Sequence, residues 1–212
     1  MEIPDAGERV SKLAEFLAEH PVSTLVVKQV EMGRGQRARA LARDVAAFLG
    51  VDTFEASLRY RTRSPRAVNG FTAQHWDTVT VKARASDKVA TARGEDLAAA
   101  VDAAVQQQQT SKSEWSMRAT FDRITGGKQA GLLVTWIHEL AHQVHFWAGD
   151  LPRPAGLPAL TTYSGRNDRE WHAEHFTAWL LNREALAAWN QEVAEHFDTL
   201  IERAITSTAK PR

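Results

Sequence analysis

Hydrophobic positions recur at helical spacing over residues 6–19, where Val10, Leu13, Ala14 and Leu17 share a face and Pro21 ends the run. Thr24, Leu25, Val26 and Val27 then predict a short strand. Helical spacing returns over 34–49 through Ala38, Leu41, Val45 and Phe48, and Gly50 stands where a helix end favours glycine. Residues 53–62 alternate, with Phe54, Ala56, Leu58 and Tyr60 on one side and Glu55, Ser57, Arg59 and Arg61 on the other, the pattern of a half-buried strand. Asn69-Gly70 predicts a hairpin turn, and a strand follows over about 77–83, centred on Thr78–Val81. A helix is expected over 95–108 on Leu97, Val101, Ala104 and Val105; its polar end Gln106–Gln109 reads, with Ser111, Lys112 and Ser113, as an exposed loop.

The second half is more helical. Residues 128–148 are strongly apolar at helical spacing, and Gly149 with Pro152, Pro154 and Pro158 then imposes an irregular loop. Asn167 or Asp168 can cap a helix reaching about Leu181. One long helix over about 183–206 should bury Leu186, Trp189, Val193, Phe197, Leu200 and Ala204. A helix, short strands, then helices reads as α+β. With 212 residues and no evident linker or repeat, one domain is expected over 1–212, comprising an N-terminal part with the sheet (1–127) and a helical part (128–212).

Composition narrows the function classes. There is no cysteine, so thiolate zinc sites, redox CxxC motifs and a catalytic thiol are excluded. Basic and acidic residues balance at 26 each, which argues against a surface devoted to nucleic acid or anionic membrane. The exceptions are Arg34, Arg37, Arg39 and Arg43, and the run from Arg59 through Arg61 and Arg63 to Arg66, which could meet phosphate but read better as solvated faces. No apolar run approaches the ~20 residues of a membrane span, and the polar start does not resemble a secretory signal. A cytoplasmic location is expected, unless the chain belongs to a virion or is exported by other machinery.

The sharpest chemical signal is His138-Glu139-Leu140-Ala141-His142. Two histidines four apart lie on one face of a helix, where both imidazoles can meet one zinc ion. Glu139 is turned by ~100° from His138 and can take a proton from a zinc-activated water as general base. A third ligand is needed. Ala148 occupies the position six residues after His142, so there is no third histidine there; His145 falls a turn further on and reads as a supporting or packing residue. Glu170 and Glu174 are the better donors, one able to bind zinc while the other receives an N–H from a zinc-bound imidazole; His172 and His175 lie beside them. Glu170 could instead serve a capping box with Asn167, and Glu174 could be a solvated charge. Of the C-terminal tryptophans Trp136, Trp147, Trp171, Trp179 and Trp189, only Trp171, beside Glu170, is placed by sequence to line a substrate pocket.

The motif, followed by Tyr163-Ser164-Gly165-Arg166-Asn167-Asp168-Arg169-Glu170-Trp171-His172-Ala173-Glu174-His175-Phe176, resembles the catalytic core of anthrax-lethal-factor-like zincins, zinc metallopeptidases with two histidine ligands and one glutamate. The resemblance covers about residues 128–181. It implies a small sheet packed on the motif helix, with the third zinc ligand in the C-terminal helical part. It also implies Glu170 as that ligand and Tyr163, seven residues before it, as a donor to the transition state. Ala141 stands where the family often has glycine, and the loop between the two zinc helices is short and proline-rich. Similar zincin domains occur on phages and mobile elements, an origin the resemblance allows.

The expected function is therefore a zinc endopeptidase acting on a protein or peptide. One zinc is held by His138, His142 and Glu170, with Glu174 as support or alternative ligand and Glu139 and Tyr163 as catalytic residues. The alternative is a non-catalytic, zinc-stabilised structural or binding module of a phage particle or mobile element. An extended substrate is expected to add to the edge of the Thr78–Val81 strand.

Overall fold

The computed structural model describes residues 5–28, 36–60, 69–83, 94–109, 115–125 and 131–211. Helix α1 (Gly7–Glu19) leads into strand β1 (Ser23–Lys28), and helix α2 (Gln36–Leu49) leads to strand β2 (Ser57–Tyr60). Strands β3 (Gly70–Phe71) and β4 (Thr78–Ala83) follow, and then only helices: α3 (Gly94–Gln109), α4 (Met117–Ile124), α5 (Gly131–Trp147), α6 (Asp168–Leu181), α7 (Arg183–Trp189) and α8 (Gln191–Thr206). The architecture is mixed α and β, with a small four-stranded sheet.

The sheet order is β2-β1-β4-β3, with β1 parallel to both β2 and β4 and β3 antiparallel to β4. Two parallel neighbours need a crossover, which α2 supplies between β1 and β2. The interior strands are covered on both faces along most of their length: Val26, Val79 and Val81 are wholly buried, and Thr24, Thr80 and Lys82 are buried with them. Helix α5 packs against β4 and β3. It is tied to β1 where Trp136 Nε1 donates to Thr24 Oγ1 at 2.9 Å.

Most sequence expectations coincide with elements, and the departures have local causes. The 53–62 alternation is real through Arg59, with Phe54, Ala56 and Leu58 turned toward the core, but ladder pairing begins only at Ser57. Gly50 has φ 68°, the left-handed conformation expected after a helix. Asn69-Gly70 is not a hairpin turn: the Asn69 carbonyl accepts from Lys82 N at 2.7 Å and Gly70 already pairs with Val81. The Thr78–Val81 strand is not an edge, because β1 flanks β4 on one side and β3 on the other; β3 is the edge. Gln106–Gln109 is helix rather than loop, and Gln108 Nε2 reaches the Leu160 carbonyl at 2.5 Å. The expected helix over 183–206 is two helices, broken where the Asn190 side chain caps α8 by accepting from Val193 N. Helix α4, capped by Ser116, was not foreseen.

One buried cluster runs from Leu13 and Phe16 of α1 through the sheet to Phe197 and Ile201 of α8. Helix α5 is apolar nearly all round, as a helix enclosed on every side must be. His138, Glu139 and His142 make a polar break in that surface, and α6 packs directly against α5.

Candidate metal centre

Helix α5 presents His138 and His142 one turn apart, with ring centroids 5.0 Å apart at 87°. Helix α6 begins at the Asn167 cap, whose Oδ1 accepts from Glu170 N at 2.9 Å. This cap fixes Glu170 in the first turn, facing α5. Its Oε2 lies 3.1 Å from His138 Nε2 and 3.6 Å from His142 Nε2. Tetrahedral zinc ligands stand roughly 3.3 Å from one another, given metal–ligand bonds of about 2 Å, so these separations bracket the expected value. His138, His142 and Glu170 form a group that can hold a metal ion, their donor atoms all within 4.8 Å.

The chemistry of the donor set points the same way. His138 Nδ1 stands 3.0 Å from Glu174 Oε1. Facing a carboxylate, that nitrogen carries the proton, and the neutral ring then turns the Nε2 lone pair toward Glu170. A lone pair and a carboxylate oxygen 3.1 Å apart need a positive charge between them. A proton can supply it: burial would depress the His138 pKa, but hydrogen bonds donated to Glu170 and Glu174 raise it well above the ordinary value. Burial likewise works against Glu170, but His138 and His142 hold its carboxyl well below the usual range. A divalent cation answers the same demand, in competition with the proton.

Glu174 has a different setting. Its Oε2 accepts from Met117 N at 2.7 Å and from Thr161 Oγ1 at 2.8 Å, while Oε1 faces His138. It is the support for His138 and does not belong to the donor group. His142 has no equivalent: its buried Nδ1 has no hydrogen-bond partner among the described residues, and packing orients the ring, stacked with Phe146 at 6.2 Å.

Glu139 lies beside the donors, 5% exposed. Burial raises its pKa, against the lowering effect of His138 and His142. Strand β3 passes so close that a Cβ at Gly70 would fall 2.6 Å from Glu139 Oε1 and Cγ. Any larger residue at that position would have to push the Glu139 side chain aside. Tyr163 donates from its hydroxyl to Glu170 Oε1 at 3.1 Å, and burial together with Glu170 raises its pKa, so the phenol keeps its proton. His138, Glu139, His142, Tyr163 and Glu170 all line one open cavity of about 880 Å³.

Other sequence candidates fall elsewhere. Trp171 does not line the pocket: it is wholly buried and donates to the Pro158 carbonyl at 2.8 Å. One position along a helix is a ~100° turn, which carries it from the donor face to the core. His145 is buried and stacks on His172 at 3.8 Å; burial lowers its pKa to about 4. His175 accepts from Leu160 N at 3.1 Å, pinning the loop before Tyr163. Arg37 is buried, whereas Arg39, Arg43 and Arg59 are exposed; Arg34, Arg61, Arg63 and Arg66 lie outside the described residues.

Sequence reasoning missed Gly70 over Glu139, Met117 and Thr161 under Glu174, and Gln143. The last is wholly buried next to His142 and donates to Thr72 Oγ1 at 2.5 Å, bracing a wall of the cavity. Lys210 donates to Gln143 Oε1 at 2.9 Å and to Asp77 at 2.8 Å, so the segment after α8 braces the same loop. None of these partners is near in sequence, and only the Asn-Gly dipeptide carried a local signal, which pointed to a turn.

Comparison with protein-family models, with curated proteins and with solved structures found no match. Among the described residues, no helix is long and apolar enough to cross a membrane.

Proposed function

We propose that this protein is a zinc-dependent endopeptidase. The observation that carries the reading is a buried carboxylate, Glu139, beside a three-donor metal group on the wall of an open cavity. Structural zinc sites take four protein ligands and are closed, whereas catalytic ones keep three and leave a position for water or substrate.

His138, His142 and Glu170 would hold the zinc, and Glu174 would keep the His138 ring oriented. Zinc held there supplies a Lewis acid and lowers the pKa of a coordinated water toward ~7. Glu139 accepts the proton of the attacking water, its raised pKa suiting that task, and delivers it to the departing amine. Tyr163 donates to the carbonyl oxygen as charge develops there, leaving Glu170 Oε1 to do so. An extended peptide would lie along β3, the edge strand that crosses Glu139. The likeness of 128–181 to lethal-factor-like zincins supports the same roles.

The test is cleavage of a peptide library by the zinc-loaded chain, with and without chelator, and by Glu139→Gln. Glutamine is nearly isosteric but a poor proton acceptor, so this variant should keep zinc and lose about 10²–10⁴-fold in rate. Cleavage at the parent rate would remove Glu139 from the mechanism. Zinc binding with no cleavage by the parent chain would favour the non-catalytic, zinc-stabilised module instead.

A further inference from the structure

A second cavity, about 280 Å³, opens on the other side of the site. It shares Gly70, His138, Glu139 and Tyr163 with the first, and Trp115, Met117 and Arg166 add walls that the first lacks. Anything bound across Glu139 therefore has one part in each cavity.

Three residues of the second cavity form a shelf. Trp115 is 51% exposed, unusual for a tryptophan, and its ring centroid is 5.7 Å from that of Tyr163. The Tyr163 N–H donates to the Trp115 carbonyl at 2.8 Å, locking the two segments together. The Arg166 guanidinium carbon lies 4.9 Å from the Trp115 ring centroid and 5.3 Å from that of Tyr163. Arg166 is exposed and has no carboxylate partner among the described residues. Contact with ring faces holds a guanidinium in place while its in-plane N–H groups remain available, the arrangement that grips a carboxylate with two bonds.

We propose that Arg166, held on the Trp115–Tyr163 shelf, makes this second cavity a recognition site for an acidic side chain of the substrate, Asp or Glu, close to the bond that Glu139 attacks. The inference rests on the endopeptidase reading and deepens it by naming a substrate class. The cavity's own acids do not cancel the preference. Both oxygens of Glu174 are engaged, by His138, Met117 and Thr161, and Glu139 is buried against Gly70. Arg118, the other arginine on the wall, is paired with Asp122 at 3.0 Å, and His138 faces Glu170 and Glu174. Among the described residues, the charge on this wall left without an ionic partner is that of Arg166. A lysine or arginine entering would meet like charge, and an apolar side chain would leave the guanidinium without a new partner.

Binding and cleavage are measured separately, so that the two readings can fail independently. The binding probes are blocked peptide pools, randomised except for one central residue that is Glu, Gln or Lys. They are titrated against the full chain with zinc removed by chelation, so that no peptide is consumed. The Glu pool should bind about tenfold more tightly than the Gln pool, the effect of one partly exposed charge-assisted contact. Arg166→Gln should erase that gap, Arg166→Lys should keep its direction at reduced size, and Arg166→Glu should turn the preference to the Lys pool. Equal binding of the Glu and Gln pools, or a gap that survives Arg166→Gln, overturns the proposal. The zinc-loaded chain is then given the same pools. Preferred cleavage of the Glu pool supports both readings. A binding gap without any cleavage overturns the endopeptidase and supports acid recognition by Arg166.

Discussion

Glu170 and Glu174 stand one turn apart on the same face of α6, yet the mouth and the base of the site treat them differently. At the mouth, the Glu170 side chain is 18% exposed, borders the larger cavity and meets two imidazole nitrogens through one oxygen. At the base, Glu174 is 2% exposed and shares its two oxygens among an imidazole, a backbone N–H and a hydroxyl. Residue type and helical spacing are the same, so the difference comes from what other segments bring. The start of α4 and the loop before Tyr163 deliver neutral donors to Glu174 and saturate it. Glu170 receives one phenol and two ring nitrogens, a set completed by a cation. A carboxylate becomes a ligand where its surroundings leave it short of positive charge.

That contrast can be broken in order of expected effect. Glu170→Ala removes the proposed third ligand and should abolish stoichiometric zinc binding, and activity with it. If zinc survives this change and is lost on altering Glu174, the two roles are reversed. Tyr163→Phe should lower kcat by roughly 10²–10³-fold, the usual effect of losing one donor to a developing oxyanion. Zinc affinity measured on the same sample separates two uses of the hydroxyl. Unchanged affinity places its work in the transition state, whereas weaker affinity with an unaltered kcat at saturating zinc would confine it to holding Glu170.

Smaller effects probe the packed side. Gly70→Ala should displace the Glu139 carboxylate, since the added methyl would meet it at 2.6 Å, and reduce turnover by up to about 10²-fold with zinc retained. Normal kinetics in that variant would show that the β3 crossing does not position the base. Glu174→Gln keeps acceptor capacity but loses charge, and zinc affinity should fall by about 10–100-fold. Glu174→Ala should in addition lower the unfolding free energy by roughly 1–3 kcal/mol for each buried donor left unpaired, as measured by denaturant titration. Equal stability of the two variants would mean that Met117 N and Thr161 find other acceptors.

The mouth was the more legible region. His138, Glu139 and His142 are related by helical spacing alone, and the Asn167 cap that places Glu170 is a local rule. The base depends on pairs distant in the chain: Met117 with Glu174 across 57 residues, Gln143 with Thr72 across 71. No periodicity encodes such pairs. Short elements were missed for a related reason. Helix α4 has eight residues, too few to establish a pattern, and β3 has two. The Asn69-Gly70 dipeptide misled because glycine serves two physical needs, a tight turn or a close approach, and here the approach to Glu139 is the one met. Neighbourhood in sequence misled in the same way at Trp171, which adjoins Glu170 along the chain and faces away from it in space.

In the proposed site His138, His142 and Glu170 hold one zinc ion with an open position. The most direct measurement is metal content of the purified parent chain beside Glu170→Ala, with the bound metal's ligands read by X-ray absorption. The parent chain should carry one zinc, bound by nitrogen and oxygen with two imidazoles, and the variant should lose nearly all of it. A parent chain that takes up no zinc under saturating conditions, or one whose zinc is unaffected by Glu170→Ala, would contradict that assignment.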